Sequence, residues 1–152
     1  GEMHRVVVAS PAYLAAHPVP RTPAELATHN CLSLGQQRGW ALRQTPGGEV
    51  ANIKVSGTFE CNDGAVLHAW ALAGKGLAWR SMWEVGDDLR HGLLVSVLDD
   101  YAAPAVGIYA VFPQRRHLPL RVRLFIDQLK ITFGNPRYWG LCGETRASPE
   151  AE

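Results

Sequence analysis

The chain has 152 residues, 47% of them hydrophobic, and carries 15 Lys+Arg against 14 Asp+Glu, a formal net charge of +1. That length holds one domain with a real core, or one lobe and part of another, and argues against two independent domains. The balanced charge lacks the domain-wide basic excess of a nucleic-acid footprint, so attraction to a polyanion would have to come from local clustering. Cys31, Cys61 and Cys142 stand far apart with no CxxC pair. This argues against a disulfide framework or a zinc ribbon and fits reduced thiols in a cytoplasmic protein. No apolar run approaches the roughly 18 residues of a membrane span, and the N-terminus lacks the regions of a signal peptide. The expectation is a soluble, unexported chain without a membrane partner.

In chain order, RVVVAS (Arg5 to Ser10) is a β-branched run ending in Ser-Pro, where Ser10 can cap a helix over PAYLAAH with Pro11 at its first position. RTPAELATH repeats the device, with Thr22 as cap, Pro23 next, and Glu25 in the capping-box position. CLSL (31–34) and GWAL (39–42) are short strand candidates. TPGG at 45–48 turns the chain into EVANIKVSGTFEC. There Val50, Asn52 and Lys54 share one face, and Ala51, Ile53 and Val55 the other, which predicts a half-buried strand.

NDGAVLHAWALAGKGLAW predicts a helix capped by Asn62 or Asp63 and stopped at Gly74 and Gly76, with a strand resuming at LAW. Val66, Ala69, Trp70 and Ala73 recur at helical spacing, and Trp70 reads as core. SMWEVGDDLRHG predicts a second helix, capped by Ser81 and closed by Gly92, before the strand LLVSVL. AVGIYAVF is a further strand, and Pro119 opens the last helix. Alternating strands and helices argue for an α/β layered architecture with a mainly parallel sheet. No repeat of fixed period is present. Residues 141–152 lack periodicity and read as a mobile tail.

The segment YAVFPQRRHLPLRVRLFIDQL holds four arginines and a histidine. Leu118, Val122, Phe125, Ile126, Leu129 and Phe133 form one helical stripe, with Arg121, Arg123, Asp127 and Lys130 opposite. Arg123 and Asp127 can pair at i,i+4, so a solvated amphipathic helix outweighs a phosphate-binding face. Catalysis finds no constellation: GxSxG, GxGxxG and the P-loop are all missing, and Gly74–Lys75–Gly76 has no following Lys-Ser/Thr. His29 and Cys31 are close but have no further ligand or orienting base nearby, and read as a helix-end histidine and a core cysteine. Asp87–Asp88 and Asp99–Asp100 read as solvated turns. The five tryptophans default to packing. A non-enzyme without cofactor or metal is expected.

Four ordered blocks carry a resemblance: RVVVASPAYLAAH, RTPAELATHNCLSL, VSGTFECNDGAVLHAWALAGKGLAWRSMWEVGDDLRHGLLVSVLDDY and IYAVFPQRRHLPLRVRLFIDQL. Together they resemble the effector-binding (substrate-binding) domain of LysR-type transcriptional regulators from about Arg5 to Trp139. The resemblance implies an α/β lobe of the type II periplasmic-binding-protein kind, with a mixed, mainly parallel sheet. It also implies crossover strands and the C-terminal helix of an incomplete first lobe. By this similarity residues 1–9 are the first crossover strand and 10–105 the second lobe. Residues 106–140 hold the return crossover and C-terminal helix, whose apolar stripe would be exposed here. A winged helix-turn-helix, through which alone such a protein touches DNA, is absent from this chain, as are the linker helix and part of the first lobe.

The resemblance further implies a small-molecule effector, a carboxylate or an aromatic, held between lobes, and assembly as a homodimer or tetramer. The candidate contacts are Ser10, Phe59, Cys61, Asn62, Asp63 and Gly64. A strand end followed by a helix N-terminus offers unpaired N–H groups suited to an anion. The plainer reading is that Asn62 or Asp63 merely caps its own helix. An exposed Asp63 would also repel an anion, which keeps an uncharged or cationic ligand open. The competing class is a free-standing solute-binding module of the periplasmic type.

Overall fold

The computed structural model describes residues 2–35, 37, 39–109, 111 and 119–134. Trp139, Cys142, the expected tail and the basic run at 115–118 lie outside them. The described elements are β1 (Glu2–Met3), β2 (Arg5–Ala9), α1 (Pro11–Ala16), a 3-10 helix at Pro23–Thr28, β3 (Cys31–Leu34), β4 (Gly39–Arg43) and β5 (Val50–Lys54). They continue with β6 (Glu60–Cys61), α2 (Gly64–Leu72), β7 (Leu77–Ser81), α3 (Met82–Arg90), β8 (Val95–Val97), a 3-10 turn at Asp99–Tyr101, β9 (Val106–Gly107) and α4 (Leu120–Phe133).

After Arg5, β2 is apolar because it is buried on both faces. It lies inside a five-stranded sheet of order β6-β3-β7-β2-β8. Val7 and Ala9 point into one core layer with Tyr13, Leu26, Cys31 and Trp40. Val6 and Val8 point into the other, with Leu32, Leu67, Ala78 and Val85. The α/β layering therefore comes directly from the alternation of one strand.

The expected mixed sheet is present, but its two parallel ladders (β3 with β6 and β7) are matched by two antiparallel ones (β2 with β7 and β8) rather than outnumbering them. The reason is the insertion of β2 between β7 and β8, against which it runs in the opposite direction. The strand expected to cross at 1–9 divides in two. Only Glu2–Met3 pairs with Val106–Gly107, while Arg5–Ala9 belongs to the large sheet.

The hairpin β4-β5 covers one face, with Ala51, Ile53 and Val55 turned inward as the alternation predicts. On the opposite face α2 ends as expected. The Gly74 N–H bonds to the Ala71 carbonyl and the Lys75 N–H to the Trp70 carbonyl, with Gly74 at φ +71°. Its buried face differs from the expected stripe: Leu67 and Ala71 are buried, Trp70 is half-buried, and Val66, Ala69 and Ala73 are exposed. GAVLHAWAL is apolar nearly all round, so spacing alone did not choose a side.

The segment capped by Thr22 forms a 3-10 helix. The Thr22 hydroxyl donates to Glu25 at 2.9 Å instead of accepting a cap bond. The Arg21 N–H donates to the same carboxylate, and these two bonds hold Glu25 below the usual carboxylate range. In α4, Val122, Ile126, Leu129 and Phe133 are half-buried as one stripe, but Phe125 is exposed. Asp127 approaches Lys130 at 3.8 Å rather than Arg123. Among the described residues no helix is long and apolar enough to cross a membrane.

Candidate functional site

Strand directions decide which residues can meet. Arg5 at the start of β2 lies opposite Ser81 at the end of β7, and Leu34 at the end of β3 lies opposite Cys61 at the end of β6. The C-terminal ends of β3, β6 and β7 therefore share one edge. Both α2 and α3 begin there, at Gly64 and Met82. The Met82 N–H donates to the His4 carbonyl at 2.8 Å, which ties the β1–β2 junction to the same edge. Open α/β sheets bind ligands outside such strand ends.

Phe59, Cys61, Asn62, Asp63 and Gly64 form one continuous rim at this edge. Phe59 is half-buried and meets Trp70 edge-on, with centroids 5.2 Å apart. The Cys61 thiol donates to the Asp63 carbonyl at 3.2 Å. Asp63, not Asn62, is the cap: its Oδ1 accepts from the Ala65 N–H at 2.7 Å and the Val66 N–H at 3.3 Å. The positive end of α2 thus already faces a carboxylate of its own chain. Asn62 is exposed beside it.

Arg80 is the site residue that sequence reasoning missed. It is 5% exposed, and its Nη2 donates to the Gly64 carbonyl at 3.1 Å and to Glu84 Oε1 at 2.7 Å. Glu84 Oε2 accepts the Ser81 N–H at 3.1 Å, so one ion pair clasps the starts of α2 and α3. Arg80 Nε is buried without a hydrogen-bond partner among the described residues. A Cβ on Gly64 would sit 2.9 Å from Nη2, so glycine is what lets the guanidinium lie under the rim. The available signal was an arginine following the apolar run LAW in the strand LAWRS.

Ser10 does not join this group. It ends β2 at the opposite end of the sheet, on the order of 16 Å away at about 3.3 Å per strand residue. Ser10 is buried, its Oγ accepts the Tyr13 N–H at 3.3 Å, and it lies beside Gly74 at the far end of α2. The same end holds a polar cluster. The Asn30 N–H donates to the Tyr13 hydroxyl at 3.1 Å, and that hydroxyl meets His29 Nδ1 at 3.1 Å. The hydroxyl thus bridges the Asn30 backbone and the His29 ring, and the direction of the second bond follows the imidazole tautomer.

Burial, and then the neighbouring His17, push His29 below its ordinary value; burial pushes Tyr13 up and the Cys31 thiol up to about 12. All three groups are held neutral, and the Cys31 thiol points to the Leu26 carbonyl at 3.6 Å. His29 and Cys31 are thus spoken for as core groups. Among the described residues no group of three or more His, Cys, Asp or Glu could hold a metal ion. An open groove of about 440 Å³ lies between Val19–Arg21 and Ser96–Tyr101, and none of the six expected residues lines it.

The LysR substrate binding domain family matches residues 1–134. The chain is similar to the HTH-type transcriptional regulator DmlR of Escherichia coli K12, 34% identical over 134 residues, covering 86% of this chain and 43% of that protein. The HTH-type transcriptional activator TtdR of the same organism is 36% identical over 129 residues, 82% of this chain and 41% of the activator. Among solved structures, full-length AphB of Vibrio cholerae, a virulence activator of the LTTR family, superposes with a TM-score of 0.73 at 32% identity. The superposition covers 84% of this chain and 44% of AphB. The chain therefore spans less than half the length of these relatives.

Proposed function

Because this chain belongs to the LysR substrate-binding domain family, we propose that it is the ligand-sensing lobe of a transcription regulator, and that a small effector is held at the strand-end edge. The observation that carries the proposal is the convergence of Phe59, Cys61, Asn62, Asp63 and Gly64 on the edge where β3, β6 and β7 end and two helices begin. The lobe comprises β2 through the 3-10 turn at 99–101, with β1 and β9 as its paired connections to a second lobe. The effector closes over the rim and favours one arrangement of the two lobes. In the full-length regulator that preference shifts the DNA-binding domains, since a ligand moves an equilibrium only by its differential affinity.

Asp63 and Glu84 already occupy the positive groups of the edge, so the rim offers an effector the Asn62 amide and the Phe59 ring in preference to a bare cation. Ser10, caught in a cap at the far end, is left out of the proposed contacts. A free-standing solute-binding module would use the same edge, but the relatives carry regulator names, which favours the sensor.

The test is a thermal-shift screen of small carboxylates, aromatics and amino acids against the regulator with both lobes, with this chain in parallel. A ligand that stabilises only the two-lobed protein, and loses its effect in Asn62→Ala while Ser10→Ala retains it, supports the reading. Equal stabilisation of this chain alone would move the site inside one lobe and overturn it.

A further inference from the structure

Polar contacts cross the seam between α2 and α3 at two levels, one helical turn apart on each helix. Near the strand-end edge, Arg80 Nη2 donates to the Gly64 carbonyl of α2 at 3.1 Å and to Glu84 Oε1 of α3 at 2.7 Å. One turn further along both helices, His68 Nε2 meets Asp88 Oδ2 at 2.7 Å, with both side chains largely shielded from solvent. The helices run in the same direction from the edge: α2 leads to Gly74 beside Ser10, and α3 returns the chain to Val95 opposite Ala9. His68 and Asp88 hold the seam further in, and the polar group that holds its open end is the Arg80 guanidinium.

Stability alone is a poor account of that guanidinium. Arg80 lies opposite Val6 in the sheet, on the face whose core layer holds Val8, Leu32, Leu67 and Val85. A buried ion pair is often no more stabilising than apolar side chains of similar volume. This one is also incompletely bonded, since one nitrogen, Nη2, makes both contacts while Nε is buried without a partner among the described residues. What the pair supplies is position. The Gly64 carbonyl belongs to the first residue of α2, directly after the Asp63 cap, and Glu84 Oε2 accepts the Ser81 N–H at the start of α3. A planar guanidinium fork reaches both helices from one strand, which a lysine ammonium on its flexible stem does less well. Glycine at 64 leaves the room for it. A displacement of the turn at 62–64 is thereby passed to Glu84 and the start of α3.

We propose that Arg80 is a positioning residue that couples the turn at 62–64 to the start of α3, so that an effector pressing on the rim moves both helix starts together. The effector's place at this edge rests on the reading given under Proposed function. The coupling itself is a property of the ligand-free chain and is tested without a ligand, so either can fail without the other. Coupling of this kind is a free energy shared by two places and shows as non-additivity between variants.

Hydrogen exchange of the 152-residue chain, followed amide by amide by NMR, measures it. Leu67, whose N–H bonds to the Asp63 carbonyl at 3.1 Å, reports on α2. Ser81, whose N–H bonds to Glu84, reports on α3, and Val8, fully buried in β2, reports on global opening. Arg80→Met is expected to speed exchange about tenfold at Leu67 and Ser81 relative to Val8, the effect of losing one hydrogen-bonded contact at each helix start. Glu84→Gln, on the far side of the guanidinium from α2, is expected to speed Leu67 about threefold, and to add nothing there once Arg80→Met is present. Arg80→Lys, able to pair with Glu84 but not to reach Gly64 as well, is expected to keep protection at Ser81 and lose it at Leu67. Unchanged exchange at Leu67 in Glu84→Gln, or the same increase with and without Arg80→Met, overturns the proposal. Equal changes at all three amides overturn it too, because they show a contribution to overall stability without a link between the helices. Should Arg80→Met fail to fold, the same comparison is made in Arg80→Lys, where Glu84→Gln is again expected to add nothing at Leu67, and an added increase overturns the proposal.

Discussion

The two ends of the five-stranded sheet are built from the same strands and do opposite things. At the end where β2 finishes, Ser10, Tyr13, His29, Asn30 and Cys31 are bonded to one another or to nearby backbone, and burial holds the titratable ones neutral. At the end where β3, β6 and β7 finish, Asn62 and Asp63 face solvent and a buried guanidinium keeps an unused Nε beneath them. The difference teaches where this lobe keeps its stability and where it keeps its freedom. Closed polar groups specify packing, whereas an edge of exposed donors and acceptors is available to a ligand.

The comparison can be broken hardest at Gly76. A Cβ there would strike the Asn30 carbonyl, which accepts the Leu77 N–H at 2.9 Å at the closed end. Gly76→Ala is expected to lower unfolding free energy by about 3 kcal/mol in urea melts. Gly35→Ala at the open end, with φ +58° and nothing within 4 Å, is expected to cost only about 1 kcal/mol of backbone strain. Equal losses would mean that the two ends are equally tight.

Tyr13→Phe comes next. It strands the Asn30 N–H and His29 Nδ1 in a buried place, at a cost of about 2 kcal/mol measured the same way. The pH profile sharpens the point with a smaller effect. His29 is depressed in the folded state, so the unfolded chain takes up its proton first as pH falls below about 6.5, and stability is lost in that direction. Cys31 is raised to about 12 from 9.0, so the unfolded chain loses its proton first above 9, and stability falls as pH rises. A stability plateau between those limits is expected in melting experiments. His29→Gln should remove much of the acid-side slope, whereas Asn62→Ala should leave the whole profile unchanged. Asn62→Ala is itself the smallest effect, below about 0.5 kcal/mol, because it removes only an exposed amide; its consequence belongs in ligand binding.

Much of this was legible residue by residue. Ser10, Gly74, Ser81 and Gly92 delimit helices by local chemistry, and the alternation of residues 50–55 named its inward face correctly. Other features were not. The face of α2 could not be read from GAVLHAWAL, because a helix apolar on all sides has no preferred stripe until a sheet is laid against it. Arg123 and Asp127 satisfied the i,i+4 rule, yet Asp127 lies nearer Lys130, since exposed pairs differ by little free energy. Of the six candidate contacts, five are consecutive or nearly so and therefore stay together in any fold. Ser10 was grouped with them as a strand end, and only strand direction reveals that it lies at the opposite end of the sheet.

The sequence by itself therefore determined the α/β order, the helix boundaries, the apolar strand destined for burial and the membership of the family, because each depends on periodicity, caps or motif order along the chain. Tertiary structure alone decided the antiparallel insertion of β2, the separation of Ser10 from the Asp63 rim, and the placement of Arg80 beneath Gly64. Those relations join residues far apart in the chain, and their free energy comes from burial that no local pattern encodes.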